Sequence, residues 1–431
     1  MRRLLLWTAI GFALTCGVAN ADPAYAPPSR PGPPLDVPHS QLASSLVCEQ
    51  SVDHASTTPV LLVPGTGASA KDNWSWNYEP ALDARGIPWC AITFPYNGNG
   101  DIQVNGEYMV FAIRTMYARA GRRISIIGHS QGGMVPRWAL RFWPDTRAMV
   151  DDLIGFAPSN HGSTQAQFAC MQSCIYADWQ QAYMSNFIRA LNSYQETFPG
   201  ISYTNVYTHN DEIVRPNSDD TGSSSLHGGG GRITNVAVQD ICPADTSEHD
   251  LVGTVDAVAY ALAIDALDHD GPANPSRIST SVCSQPYMPG INPVTGPASG
   301  LQAFYDDETS TGPESTSEPP LACYVFASCP IGSRGATGAR CAARGALRLR
   351  LSVRRGERIV DARAWVDGRR VAHRRGHRLR VLRLRSVRAG RHVIRVVTRA
   401  SDGVRRVTVW RTRGCRRLGH ARTHRLGHGT S

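Results

Sequence analysis

The residues with the clearest chemical potential stand in Gly128-His129-Ser130-Gln131-Gly132-Gly133, a GxSxG run that follows the apolar Ile124 to Ile127 and precedes a helical pattern. Small residues on both sides suit a serine held on a tight strand-to-helix turn, because a side chain at either place collides with the adjoining strand or helix. The turn pushes the hydroxyl into the open, where it can attack a carbonyl carbon. A serine hydroxyl is a poor nucleophile near neutral pH, so it needs a histidine base and a carboxylate to orient that base. In the chain order Ser, acid, His, the acid is expected in a turn just after a strand. Thr208-His209-Asn210-Asp211-Glu212 follows the strand-like Tyr203 to Tyr207 and makes Asp211 the first candidate, with Glu212, Asp219 and Asp220 as competitors. His249, in Ser247-Glu248-His249-Asp250-Leu251, lies after the last strand-like run and is the expected base. His227 and His269 read as surface residues, and His129 and His161 as pocket or packing residues rather than alternative bases.

Attack puts negative charge on the carbonyl oxygen, which calls for donors already aimed at it. The N–H of Gln131 is one expected donor. The turn Val63-Pro64-Gly65-Thr66-Gly67 follows another strand-like run and makes Thr66, through its N–H or its hydroxyl, the second.

The elements that must position these groups alternate along the chain. Val60 to Val63, Trp89 to Phe94, Ile124 to Ile127, Leu153 to Phe156, Tyr203 to Tyr207 and Ile233 to Val238 are short, apolar and often β-branched. Apolar spacings of three and four predict helices near Tyr108 to Arg119, Val135 to Phe142, Ala182 to Asn192 and Leu251 to Leu267. This is the pattern of an α/β fold, a mostly parallel sheet with helices on both faces. Residues from about 160 to 200 carry Phe168, Met171, Ile175, Tyr176, Trp179, Tyr183, Met184, Phe187 and Ile188 and read as a cap over the site, or simply as a core-facing stripe.

Charge divides the chain. Residues 331–431 hold 29 Arg and four acids, whereas the first 330 residues are net acidic; Lys71 is the sole lysine, so part of the arginine content reflects a general preference for Arg over Lys. Met-Arg-Arg, an apolar run from Leu4 to about Val18 and Ala19-Asn20-Ala21 form the pattern of a secretory signal peptide over 1–21. Pro-rich residues to about 44 then lead into a catalytic domain expected over 45–320, whose Pro-, Gly-, Ser- and Thr-rich end reads as a linker. Beyond it, alternating runs between 341 and 415, with turns at Asp367-Gly368 and Asp402-Gly403, predict a small all-β module similar to the immunoglobulin-like sandwiches of secreted bacterial enzymes. Residues 416–431 read as a basic tail. Solvent-facing arginines on the module suit an anionic cell surface or lipid interface, and the signal peptide argues against nucleic acid.

Removing the signal peptide leaves ten of the eleven cysteines, an even set that suits disulfides in an exported chain. Neighbours taken in order pair Cys48 with Cys90, Cys170 with Cys174, Cys242 with Cys283, Cys323 with Cys329 and Cys341 with Cys415, although order alone does not establish connectivity. None of these pairs has CxxC spacing, and no metal or organic cofactor is implied.

The runs PGTG at 64–67, SQGG at 130–133, WQQ at 179–181 and NDEIVRP at 210–216 resemble the Candida antarctica lipase B family of α/β-hydrolases over about residues 45–285. The resemblance implies Ser130 as nucleophile, Asp211 as acid, His249 as base, Thr66 and Gln131 as oxyanion hole, and disulfides Cys48 to Cys90 and Cys242 to Cys283. It also implies that Gln181 lines the acyl side of the pocket. Two departures bear on substrate: His129 stands where that family has Trp, beside the alcohol pocket, and Ser159 stands where it has Asp. The expected activity is that of a secreted serine ester hydrolase, a lipase or carboxylesterase. An acyltransferase using the same acyl-serine, or an inactive surface-binding protein, would carry the same motifs, and no oligomeric state is implied.

Overall fold

The computed structural model describes residues 24–329, 347–351, 358–366, 369–384, 393–401, 404–413, 417–418 and 422–426. The expected signal peptide, the Cys341 to Cys415 pair and the Asp367-Gly368 and Asp402-Gly403 turns lie outside them. The chain forms two compact units, one of Met1–Gly32, His39–Glu318 and Tyr324–Ile331, the other of Pro33–Pro38, Pro319–Cys323 and Gly332–Ser431.

The first unit is an α/β structure. Its strands are β1 (Leu46–Cys48), β2 (Val60–Val63), β3 (Trp89–Ile92), β4 (Ile124–His129), β5 (Val150–Phe156), the short β6 (Cys174–Ile175), β7 (Ser202–Tyr207), β8 (Arg232–Ala237) and β9 (Glu314–Ser315). Seven of them form one sheet in the order β1-β3-β2-β4-β5-β7-β8, parallel throughout except for the edge strand β1, which runs antiparallel to β3. The central strands are buried on both faces, as runs such as Val60-Leu61-Leu62-Val63 require. One face packs Trp74, Tyr78, Phe156 and the helix Ala257–Asp268 into a single core cluster.

One expected helix is shortened and another is interrupted. Within Ala182 to Asn192 only Asn186–Leu191 is helical, started by the Ser185 hydroxyl accepting from Ile188 N, and a separate short helix, Tyr176–Gln181, precedes it. Leu251 to Leu267 splits into His249–Thr254 and Ala257–Asp268, because the Asp256 carboxylate caps Ala259 N. Neither Pro-rich stretch is an open tether throughout. Tyr25, Ala26 and Pro28 carbonyls accept from Tyr194, Arg141 and Arg147. Residues 271–318 include the helix Gly296–Thr309, β9 pairs with β6, and Glu318 accepts from Asn186 N and Phe187 N. The unit continues past 320 to Tyr324, which is buried and whose hydroxyl accepts from Trp138 Nε1 at 2.8 Å.

The bonded cysteines include Cys48 with Cys90, Cys170 with Cys174 and Cys242 with Cys283; Cys323 and Cys329 are disulfide-bonded as well. Among the described residues no helix is long and apolar enough to cross a membrane.

The second unit is all-β: β10 (Leu347–Arg350), β11 (Ile359–Val366), β12 (Arg369–Arg375), β13 (Val381–Leu384), β14 (Val393–Ala400), β15 (Arg405–Arg413), β16 (Arg417–Leu418) and β17 (Arg422–Leu426). β10 pairs with β13, and β12-β11-β14-β15-β16 form the other antiparallel sheet, with β17 also on β15. Residues 417–418 and 422–426, expected in a tail, are therefore strands. Leu349, Leu382 and Leu384 from one sheet join Ala362, Ala364, Ile394 and Val396 from the other in one apolar cluster. The described strands define this two-sheet packing, not an immunoglobulin strand order. The alternate residues of the larger sheet face outward, and register sets Arg375, Asp361, Arg399 and Arg405 in one row and Arg370, Trp365 and Arg395 in another. Asp361, ringed by Arg363, His373 and Arg375, is the one acid of this face among the described residues.

Candidate active site

β4 ends at His129 and the helix Gln131–Phe142 begins two residues on, so Ser130 alone occupies the turn between them, with φ 53° and ψ −122°. A non-glycine residue with positive φ is strained, and surrounding structure must hold it there. The flanking glycines show how it is held. A Cβ on Gly128 would stand 2.0 Å from the Gly132 carbonyl oxygen, and one on Gly132 would stand 2.2 Å from that of Val63. Only glycine lets helix, turn and β2 approach so closely.

Ser130 opens into a cavity of about 970 Å³ that His249, Thr66, Gln181, Ser159 and His129 also line. His249 is the first residue of its short helix, started by Glu248, whose carboxylate accepts from Asp250 N and Leu251 N. Its Nδ1 lies 3.1 Å from both oxygens of Asp211, which sits in the turn after β7. Asp211 also accepts from Ile213 N, Val214 N and Asn217 Nδ2, which fix its plane. Burial opposes ionisation of Asp211, but the charge of His249 and these hydrogen bonds overcome it and hold the carboxyl below its usual range. Burial likewise opposes charge on His249, and Asp211, aided by Asp250 and Glu212, outweighs it and raises the ring's pKa. No hydrogen bond joins His249 to Ser130 in this state, a contact that commonly tightens only around substrate.

Of the competing acids, Glu212 Oε2 accepts from His249 N at 3.4 Å, while Asp219 and Asp220 lie on the surface. Exposed His227 contacts the Asp220 carbonyl, and His269 is half-exposed beside Asp265. His161 packs between Glu196 and the Ser223 carbonyl.

Thr66 shows how a hydroxyl can be aimed. Its Oγ1 accepts from Gln131 Nε2 and Gln181 Nε2, each at 2.9 Å, so both lone pairs are occupied and the proton is left to donate. Gly65 N and Gly67 N are taken by Asn73 Oδ1 and the Asn97 carbonyl, whereas Thr66 N and Gln131 N have no partner among the described residues. Three donors thus remain for an anionic oxygen near Ser130. Ser159 Oγ donates to Gln181 Oε1, tying the far side of the pocket to the same network.

Comparison with known proteins places this arrangement. Residues 57–252 match the family described as "Lipase (class 2)". Lipase B of Pseudozyma antarctica is 33% identical over 244 residues, 56% of this chain and 70% of that protein. This chain belongs to the class 2 lipases. Among solved structures, Aspergillus fumigatus lipase B aligns with a TM-score of 0.63 at 28% identity, covering 71% of this chain and 77% of its own. The class 2 lipase chain is accordingly an ester hydrolase of the α/β-hydrolase fold.

In this lipase His129 Nε2 meets the His249 carbonyl at 3.1 Å, and the two rings lie 5.0 Å apart. Burial, with His249 charge nearby, lowers the His129 pKa to about 3, so it is neutral and serves in packing. Asn73, Asn105 and Asn217 escaped sequence reading. Asn73 anchors the Thr66 turn, Asn105 Nδ2 donates to Gln131 Oε1 at 2.9 Å, and Asn217 holds Asp211. Their partners lie across the fold or carry no motif, so only Asn217, close to NDEIVRP, had a local signal.

Proposed function

We propose that this lipase is a secreted serine hydrolase in which Ser130 forms the acyl-enzyme on lipid or short-chain esters. His249 takes the serine proton, passes it to the departing alcohol as the ester C–O bond breaks, and then, neutral again, activates water, while Asp211 holds the imidazole in the required tautomer and stabilises its charged form. The Thr66 N–H and hydroxyl and the Gln131 N–H receive the oxyanion. The observation that carries this reading is the convergence on one cavity of a strained, cavity-facing serine and a histidine bound to a buried carboxylate. Secretion is supported by the N-terminal pattern and the disulfides, and the arginine face of the second unit suits contact with an anionic cell surface or lipid interface. Water as acceptor makes the reaction hydrolysis; an alcohol or amine would make it acyl transfer through the same intermediate.

The test is Ser130→Ala, which removes the nucleophile and leaves the turn. It is expected to abolish both p-nitrophenyl butyrate hydrolysis and labelling by a fluorophosphonate probe, with an unchanged thermal unfolding curve. Turnover near wild type in the variant would overturn the assignment.

A further inference from the structure

The cavity lining is mixed: Tyr287, Ile291 and Leu301 are among its apolar residues, and Ser159, Gln181 and Asp178 among its polar ones. Gln181 and Ser159 are committed to each other and to Thr66. Asp178 is not: it lines the cavity, and among the described residues no donor pairs with its carboxylate. Burial alone pushes it up to about 6.

Among the described residues Glu79 is likewise half-buried without a donor but does not line the cavity, whereas other buried carboxylates of this unit are paired. Asp101 accepts from Gln103 and Gln180, Asp152 from Ser125, Asp256 from Ser247 and Ala259 N, and Asp265 from Arg277 and Asn274 N. Even a partial withdrawal of a carboxylate from water without a partner is destabilising, so half-buried Asp178 in the cavity lining points to a partner that arrives with the ligand. Position says which part of the ligand. Asp178 and Gln181 lie three residues apart on the helix Tyr176–Gln181, hence on one face and about 5 Å apart along the axis. Gln181 touches the Thr66 hydroxyl that marks the place of the ester oxygen. A group meeting Asp178 therefore sits about one helical turn from the ester carbonyl, on the Gln181 side.

Resting on the serine-hydrolase reading, we propose that Asp178 is a specificity-determining residue that selects acyl groups carrying a hydrogen-bond donor, a hydroxyl or a protonated amine, over plain alkyl chains. A donor on the substrate satisfies the carboxylate, whereas an alkyl chain strips water from it and leaves it unpaired. Charge makes the amine the stronger partner.

The experiment compares kcat/KM for p-nitrophenyl esters of hexanoate, 6-hydroxyhexanoate and 6-aminohexanoate in the full-length enzyme and in Asp178→Val. Each ratio of a substituted ester to hexanoate is expected to fall in the variant, by about tenfold or more for the amine. Asp178→Asn, nearly isosteric, guards against a folding defect and is expected to lose the advantage of the amine over the hydroxyl. Ratios unchanged within about twofold in both variants overturn the proposal. Fluorophosphonate labelling of the same samples separates the two readings: labelled enzyme with unchanged ratios overturns the role of Asp178 alone, whereas no labelling and no turnover overturn the serine assignment and this inference with it.

Discussion

Three carboxylates crowd His249, and only one of them can orient it. Asp211 holds Nδ1 from behind, while Glu212 accepts from the His249 backbone N–H and Asp250 follows in sequence. Together they raise the ring's pKa against the opposing effect of burial. A general base works when neutral, so kcat/KM falls as pH drops through this raised value. Glu212→Gln removes one negative charge and keeps an oxygen for the backbone contact. The imidazolium then loses stabilisation, its pKa falls, and the acid limb of the kcat/KM profile is expected to move to lower pH with the plateau retained. A limb that stays in place, or moves up, in a pH–rate series on p-nitrophenyl butyrate would show that Glu212 does not tune the base.

At the scale of elements, the turn after β4 depends on glycine as a spacer between three backbones. Gly132→Ala forces a Cβ to within 2.2 Å of the Val63 carbonyl oxygen, against backbone that cannot swing aside. A loss of about 3 kcal/mol is expected, read as a lowered urea midpoint with an unchanged slope; a midpoint equal to wild type would mean that β2 yields freely. This turn was legible in the sequence because its constraints are local: an apolar strand, small flanks and a helix occur within ten residues. The runs that became β2 and β4 were legible for the same reason, being largely apolar on both faces, while β7 carries buried Thr204 and Asn205 and was legible through Tyr203, Val206 and Tyr207. Edge strand β1 was not, since Leu46-Val47-Cys48 is short and leaves Val47 exposed. The late helix start after Ser185 and the break at Asp256 were missed because apolar spacing runs on through both caps. The expected cap stripe likewise divides: Phe187 is buried against Trp138, whereas Phe168, Met171, Tyr183 and Met184 are exposed. Periodicity records which residues could share a face, while burial depends on what other segments cover.

Across the whole molecule, composition separates two kinds of surface. All residues named in the candidate site fall within His39–Glu318, and the arginine rows belong to the second unit. Truncation therefore has to spare the first unit, and residue 320 is too early a stop. Tyr324 is buried there, hydrogen-bonded to Trp138 and packed against Phe142 and Trp143, so a chain ending at Ile331 keeps that cluster while one ending at Pro320 opens it. The longer truncation is expected to hydrolyse a soluble short-chain ester with nearly unchanged kcat/KM and to lose binding to anionic liposomes. Binding by the full chain should weaken with salt, because screening shortens the reach of charge from about 8 Å at physiological ionic strength to about 3 Å at 1 M. Cosedimentation across a salt series checks both. Loss of hydrolysis in a folded chain ending at Ile331 would make the second unit part of the site, and liposome binding indifferent to salt would mean that the arginine rows do not hold the enzyme to its surface. Guanidinium rows can act at such a surface because, among the described residues, one carboxylate, Asp361, opposes their charge; it is shared among Arg363, His373 and Arg375, and Arg395, Arg399 and Arg405 lie outside that cluster.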